Sequence, residues 1–212
     1  MGKITKGILG GFSGKVGNVV GASWNGIDYI RSLPTTVRNP RTPGQVNQRN
    51  KFSTVISFLS QITPLIRVGF SNYANKQTAF NAAMSYNVLN AMTGEGSEVK
   101  MDYPKVLVSR GNLFASPRGD VKIVDNKVNM SWDSLTSGSA SDDDKALLVI
   151  FNSVTGESKY MLDACARSEG SYTIEYPATW EGDDVETYVG FVSEDGVVSN
   201  SLYLGKVEIP EG

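Results

Sequence analysis

The chain has 212 residues, and its 40% hydrophobic and 9% aromatic content predicts folded domains rather than a disordered protein. It contains no histidine and a single cysteine, Cys165, which excludes an internal disulfide, ordinary structural zinc sites and the usual catalytic triads. Residues 1–91 carry ten basic residues and one acid (net +9), whereas residues 92–212 carry ten basic residues and 21 acids (net −11). The total charge of −2 therefore conceals two oppositely charged halves. This split indicates two domains and electrostatic recognition of a partner.

The N-terminal residues are interrupted throughout by lysine and glycine, and they hold no apolar run of signal-peptide length. No other stretch approaches the roughly 20 apolar residues that a membrane span requires. We therefore expect no export signal of the usual kind, no membrane span and a cytoplasmic location.

Residues 14–33 have the pattern of a β-hairpin. Val16, Val19 and Val20 lead into Trp24-Asn25-Gly26, where the Asn-Gly pair suits a type I′ turn. Residues 33–41 hold two prolines and are predicted to form an extended arm, which loses little conformational entropy when it binds a partner.

Thr42 is predicted to cap a helix that runs from Pro43 to about Gln61, because proline suits the first helical position and Gln45 completes a capping box. Two shorter helices are expected at about 64–73 and 77–92. One apolar face of the first helix is predicted from residues at helical spacing, namely Phe52, Val55, Ile56 and Leu59.

From residue 103 the pattern changes to short strands separated by turns, which is typical of a β-sandwich. The predicted fold is therefore α+β: a basic domain (1–94) with a β-hairpin, the arm and three helices, a linker (95–102), and an acidic sandwich domain (103–212). The strands are expected near 104–110, 121–124, 127–133, 145–152, 157–163, 171–176, 185–193 and 201–209.

An early strand that ends in Trp132 and a late strand that contains Tyr188, followed by a hairpin return, give the second half a recognisable pattern. Over roughly residues 120–210 this pattern resembles fibronectin type III and related immunoglobulin-like domains. The single cysteine excludes the disulfide of antibody domains.

The N-terminal part also carries a distinctive signature, Gly14-Lys15-Val16-Gly17 followed by NPxTPxQxxQRxxF, which ends at Phe52. It resembles the signature of an uncharacterised bacterial family known only as a domain of unknown function, and similar signatures occur in phage-like structural proteins. The stretches YPKVLVSRGNL (103–113) and YVGFVSEDGVVSNSLY (188–203) resemble the same family. The resemblance implies no catalytic or binding residues, and it adds a phage-like particle as a second expected location.

These features predict a non-enzymatic structural or assembly protein that associates with itself or with other assembly subunits. No catalytic residue, cofactor, metal site or small-molecule substrate is expected, because no nucleophile–base pair or ligand spacing is present. The residues predicted to bind a partner are the cations and the tryptophan in and beside the hairpin and arm, namely Lys15, Trp24, Arg31, Arg38, Arg41, Arg49 and Lys51.

Two other hypotheses remain open at the level of the sequence. The basic half could bind nucleic acid through its dispersed cations and its hairpin aromatics. Alternatively, the sandwich could bind carbohydrate or a surface through exposed Trp180, Tyr172 or Tyr176.

Overall fold

The computed structural model describes residues 3–4, 11–24, 27–36 and 41–211. The chain forms two compact units, Met1–Arg41 and Thr42–Gly212. The first contains six basic residues and one acid (net +5), and the second contains 14 basic residues and 21 acids (net −7). Opposite charge is therefore a property of the two units themselves, and residues 95–102 lie inside the second one.

The N-terminal unit is a four-stranded antiparallel sheet in the order β1-β2-β3-β4. Gly17, with a φ of +57°, forms the turn between β2 and β3 together with Asn18. The predicted Asn25-Gly26 turn and residues 37–40 of the predicted arm lie outside the described residues. The strands are β1 (Lys3–Ile4), β2 (Phe12–Val16), β3 (Val19–Trp24) and β4 (Ile27–Ser32).

The second unit begins with three helices, α1 (Pro43–Gln61), α2 (Thr63–Gly69) and α3 (Ala79–Asn90). Thr42 caps α1 by accepting a hydrogen bond from the Gln45 backbone N–H at 3.4 Å, with proline in the first turn, as predicted.

The predicted apolar face of α1 is only partly correct. Val55 and Leu59 are buried together with Phe58, whereas Phe52 and Ile56 are exposed. The helix therefore buries a stripe that is rotated away from Phe52 and Ile56, because Phe58 supplies the third large side chain of the core.

After α3 the chain forms a small antiparallel pair, β5 (Met92–Thr93) and β6 (Lys100–Met101). Gly96 lies between them and is tied to α1: its carbonyl accepts from Asn50 Nδ2 at 2.6 Å, and its N–H donates to Asn47 Oδ1 at 3.2 Å. The predicted linker segment is therefore attached to the helices.

Two antiparallel sheets follow, with the orders β11-β8-β7 and β10-β9-β12-β13. The prediction of an α+β fold is confirmed, and the predicted strands from 121 onward are present. Asp125 and Asn126 form the turn between β7 and β8 with φ angles of 49° and 61°, as a type I′ turn requires. The strands are β7 (Gly119–Val124), β8 (Lys127–Trp132), β9 (Lys145–Asn152), β10 (Ser158–Met161), β11 (Ser171–Ile174), β12 (Asp184–Val192) and β13 (Leu202–Glu208).

Strands β9 and β12 are buried on both faces and serve two hydrophobic cores. On one face, Leu148 and Ile150 pack with β8 and β11 in the core between the two sheets. On the other face, Leu147, Val149 and Phe151 pack against the three helices. The second unit thus has three layers: the helices, the four-stranded sheet and the three-stranded sheet.

Candidate partner-binding surfaces

Lys15 and Arg31 lie in one row across the N-terminal sheet. Lys15 pairs with Val20, and Val20 pairs with Arg31 on its other side, so the three residues share one face of the sheet. Tyr29 lies two residues from Arg31 on β4 and therefore belongs to the same face. Lys15, Arg31 and Tyr29 are all exposed, which makes this face both basic and aromatic.

The N-terminal sheet has almost no interior of its own. Among residues 11–23 and 27–36 only Gly21 is buried. Ile27 is 65% exposed and Ile30 is 64% exposed, on opposite faces of β4. A sheet in water needs at least one covered hydrophobic face, so these residues mark surfaces that a further contact would stabilise.

The other predicted partner-binding residues are distributed over both units. Trp24 is the last residue of β3, in register with Ile27, and Arg38 lies outside the described residues. Arg41 is exposed and has a φ of 47°. Arg49 is exposed on α1 and Lys51 is half-buried there, so both belong to the second unit.

An apolar groove of about 450 Å³ runs between α1 and α3. Phe52 and Ile56, which the sequence predicted to be core residues, line it from α1, and Leu89, 79% exposed, lines it from α3.

The two later family-like stretches meet in the second unit. The Leu113 N–H donates to the Val198 carbonyl at 3.0 Å, and the Ser201 N–H donates to the Ser109 carbonyl at 3.0 Å. The predicted strand at 104–110 is wrong: the segment begins in the 3-10 turn Tyr103–Lys105, and its later backbone groups bond to scattered partners instead of one neighbouring strand. Asn87, buried on α3, accepts from the Leu107 N–H and donates to its carbonyl, both at 3.0 Å.

Arg110 lies in this segment, between the helices and the sheet. Its Cζ atom is 4.3 Å from the centroid of the Tyr73 ring and 4.9 Å from that of Tyr86. The sequence signal for this residue was its place in the stretch 103–113, but neither tyrosine is near it in the chain, so the arrangement could not be read from spacing.

One family's sequence model matches residues 11–205, which is most of the chain. The chain belongs to the DUF6266 family. That family is one of unknown function. A comparison of the sequence with curated proteins finds no match.

The second unit of this DUF6266 chain buries one of the aromatics that were predicted to be exposed. Trp180 is only 1% exposed, and its Nε1 donates to Glu157 Oε2 at 2.7 Å, so the prediction of an exposed Trp180 is wrong. Tyr172 and Tyr176 are half-buried. The sequence alone does not reveal this burial, because the position of Trp180 on the core side depends on the short 3-10 turn Ala178–Trp180.

A carboxylate is buried at the edge of the helical layer of this DUF6266 chain. Glu186 accepts a hydrogen bond from the Tyr203 hydroxyl at 2.5 Å, and Tyr188 donates its own hydroxyl to the Tyr103 carbonyl at 3.0 Å. Burial raises the pKa of Glu186, and the Tyr203 hydrogen bond lowers it in part. Burial, followed by the bond to Glu186, raises the pKa of Tyr203. The pair is a hydrogen-bonded contact at the edge of the core, partly withdrawn from water.

Within the described ranges, no group of three or more His, Cys, Asp or Glu side chains is arranged to hold a metal ion. Across the same residues, no helix is both long and apolar enough to cross a membrane.

Proposed function

We propose that this DUF6266 protein is a non-enzymatic structural component of an assembly, and that it associates with further copies of itself through its N-terminal unit. The observation that carries the proposal is the uncovered N-terminal sheet, with Ile27 and Ile30 exposed on its two faces. Covering either face removes apolar surface from water, which favours association by about 25 cal/mol for each Å².

Charge supports the same proposal and suggests a direction for the contact. The N-terminal unit carries a net +5 and the second unit a net −7. A basic sheet from one copy that meets an acidic unit of the next copy makes a head-to-tail contact, which forms rings or open filaments. The phage-like signature from Gly14 to Phe52 agrees with a component of a particle.

We also propose that the sandwich is of the fibronectin type III kind. Its strand orders, β11-β8-β7 and β10-β9-β12-β13, support this, since they correspond to an A-B-E sheet facing a C′-C-F-G sheet. Such a sandwich would act as the acidic module of the assembly.

Light scattering of the full chain across a salt series tests the proposal. Oligomers are expected at low salt and smaller species at high salt, because screening weakens contacts between charged surfaces. The double variant Lys15→Glu/Arg31→Glu should reduce association. The matched control Arg67→Glu/Lys76→Glu reverses two exposed cations on the second unit and should associate at least as well as the wild type. A strictly monomeric protein at both salt extremes and at high concentration would overturn the proposal.

A second candidate function, nucleic-acid binding, is favoured by the grouping of Lys15 and Arg31 with Tyr29 on one exposed face. Cations contact phosphates and an aromatic ring can stack on a base, and such binding weakens steeply with salt. Fluorescence anisotropy with labelled single-stranded DNA and RNA at low salt would reveal it. Absence of binding by the full chain would remove this candidate.

A further inference from the structure

Strand β4 is a long open edge of the N-terminal sheet. Among the described residues its one neighbouring strand is β3, because the strand order is β1-β2-β3-β4. Natural edge strands usually avoid pairing with other chains by being very short or by carrying proline, lysine or a bulge. β4 has six residues without proline, glycine or lysine, and its register with β3 is continuous. The opposite edge strand, β1, has only two residues. β4 is therefore the edge of this sheet that can accept a further strand.

The hydrogen bonding of β4 shows which of its backbone groups are left for such a strand. The Leu33 N–H, directly after β4, donates to the Asn18 carbonyl at 2.7 Å, so the backbone of Leu33 faces the β3 side. In an antiparallel pair the residues alternate between facing the neighbouring strand and facing away from it. The residues that face away are thus Asp28, Ile30 and Ser32, and their N–H and C=O groups lie at the open edge.

We propose that the open edge of β4 pairs with β4 of a second copy, antiparallel and around a two-fold axis at Ile30. Two edges form a ladder only when outward-facing residues of one strand lie opposite outward-facing residues of the other. This register meets that condition, because Ile30 lies opposite its own counterpart and Asp28 lies opposite Ser32 of the second copy. The inference rests on the proposed function, since it names the contact by which the N-terminal units associate.

The side chains of β4 complement themselves in this register. The Ile30 side chain, 64% exposed, meets its counterpart and removes apolar surface from water. The Ser32 hydroxyl can donate to the carboxylate of Asp28 across the pair. On the other face Tyr29 lies opposite Arg31, a pairing that allows a cation–π contact. The nearest alternative ladder would place the charged Asp28 opposite Ile30, so self-complementarity favours the register centred on Ile30.

The net charge of +5 on each N-terminal unit does not oppose this contact strongly. Lys15 lies on β2, so five strand spacings, about 24 Å in total, separate it from its counterpart in the paired sheets. That distance is well beyond the Debye length of about 8 Å at physiological ionic strength. β4 itself carries one acid, Asp28, and one cation, Arg31. The edge contact is thus held by hydrogen bonds and apolar pairs rather than by net charge.

Disulfide trapping in the full chain tests the register. Ile30 and its counterpart would lie about 5.5 Å apart between Cα atoms, which is within disulfide range, so Ile30→Cys should form a covalent dimer on mild oxidation. Ser32→Cys is the matched control, exposed on the same face but roughly 14 Å from its counterpart, and should cross-link far more slowly. The native Cys165 is buried. Equal cross-linking rates for the two variants would overturn the register.

Light scattering at high salt tests the contact without a cross-link. Screening weakens charge pairing but not backbone hydrogen bonds or apolar pairs, so a dimer should persist there. Ile30→Lys places two like charges opposite each other and should weaken this dimer roughly tenfold or more. Ile27→Lys adds the same charge at a side chain that is 65% exposed, on the other face and outside the paired segment 28–32, and should leave the dimer intact.

The outcomes separate the edge contact from the proposed assembly. Oligomers at low salt that become monomers at high salt would overturn the edge contact and leave the proposed function standing. A dimer that Ile27→Lys weakens as much as Ile30→Lys would also overturn it, because the faces of the sheet rather than its edge would then associate. A dimer that is the largest species at every salt concentration would support the edge contact and overturn the head-to-tail assembly.

Discussion

Asp144 and Arg167 form an ion pair inside the second unit, with Oδ2 3.1 Å from Nη2 and neither side chain more than 1% exposed. Arg167 also lies over the Phe191 ring, 3.8 Å from its centroid, and donates from Nη2 to the Phe114 carbonyl at 2.8 Å. The pair joins the chain just before β9 to the 3-10 turn Arg167–Glu169, which precedes β11. It therefore connects the two sheets.

Removal of one partner of this pair should be costly. Asp144→Asn leaves Arg167 as a buried cation without a counter-charge, and we expect a loss of about 3–5 kcal/mol in the free energy of unfolding. Urea denaturation measures this change. Asp143→Asn, one residue earlier and exposed, is the control and should be nearly neutral. A change of under about 1 kcal/mol in Asp144→Asn, the size typical of exposed pairs, would contradict a buried role.

The Cys165 thiol should be unreactive in the native protein. Burial is the main cause that raises its pKa to about 11, and the nearby negative charge of Glu169 is the second cause. At pH 8 only roughly one thiol in a thousand is then a thiolate, which is the reactive form. Alkylation by iodoacetamide should be slow at pH 8 and should accelerate as the pH approaches 11, whereas protein unfolded in urea should react quickly at pH 8. Equal rates in the folded and unfolded protein would show that Cys165 is accessible.

Glu186 should make the protein less stable as the pH rises. Because burial raises its pKa in the folded state above the ordinary 4.5, the folded protein binds this proton more tightly than the unfolded chain does. The contribution of Glu186 to the free energy of unfolding is thus most favourable below pH 4.5. It is lost as the pH rises from there through the pKa of Glu186 in the folded protein.

Glu186→Gln removes that titration and keeps an acceptor for the Tyr203 hydroxyl. The variant should therefore melt at a higher temperature than the wild type at pH 7 and show little advantage at pH 4, as measured by thermal unfolding. Glu208→Gln, exposed on β13, is the control and should not show this pH-dependent gain. A Glu186→Gln protein that is less stable than the wild type at pH 7 would mean that the carboxylate is stabilising.

Gly111 should not tolerate a side chain. A Cβ at this position would lie 2.0 Å from the Val198 carbonyl oxygen, so Gly111→Ala forces the segments 103–113 and 188–203 apart. We expect the free energy of unfolding to fall by several kcal/mol. Overpacking alone costs roughly 1–3 kcal/mol, and the hydrogen bonds that break between the two segments add to this loss. Gly44→Ala on α1 meets no atom within 4 Å and should be neutral or slightly stabilising. Similar losses for the two variants would contradict this account.

Local signals in the sequence predicted local structure well. The start of α1 depends on Thr42 and Pro43, and the β7–β8 turn depends on Asp125 and Asn126, so each could be recognised from a few adjacent residues. The Lys15–Arg31 row was only partly accessible. The hairpin pattern includes both cations. That they share one face is known only from the strand register, in which each of them pairs with Val20.

Features that depend on distant partners could not be predicted. Phe52 and Val55 are both apolar at helical spacing, and only the packing of α1 on the sheet decides that Val55 is buried while Phe52 is not. Arg110 had no distinctive neighbours in sequence, because Tyr73 and Tyr86 reach it from the helices. One signal of such packing is present in the sequence, since the continuous apolar run of β9 indicates a strand covered on both faces.

The double burial of β9 has a consequence for anyone who would isolate the two sheets from the helices. A fragment that starts at residue 103 would leave Leu147, Val149 and Phe151 facing water, since the helices supply the cover for that side of the strand. Such a fragment should aggregate rather than behave as a portable module. The smallest piece of this chain that can be excised and fused elsewhere therefore starts at the cap of α1, Thr42.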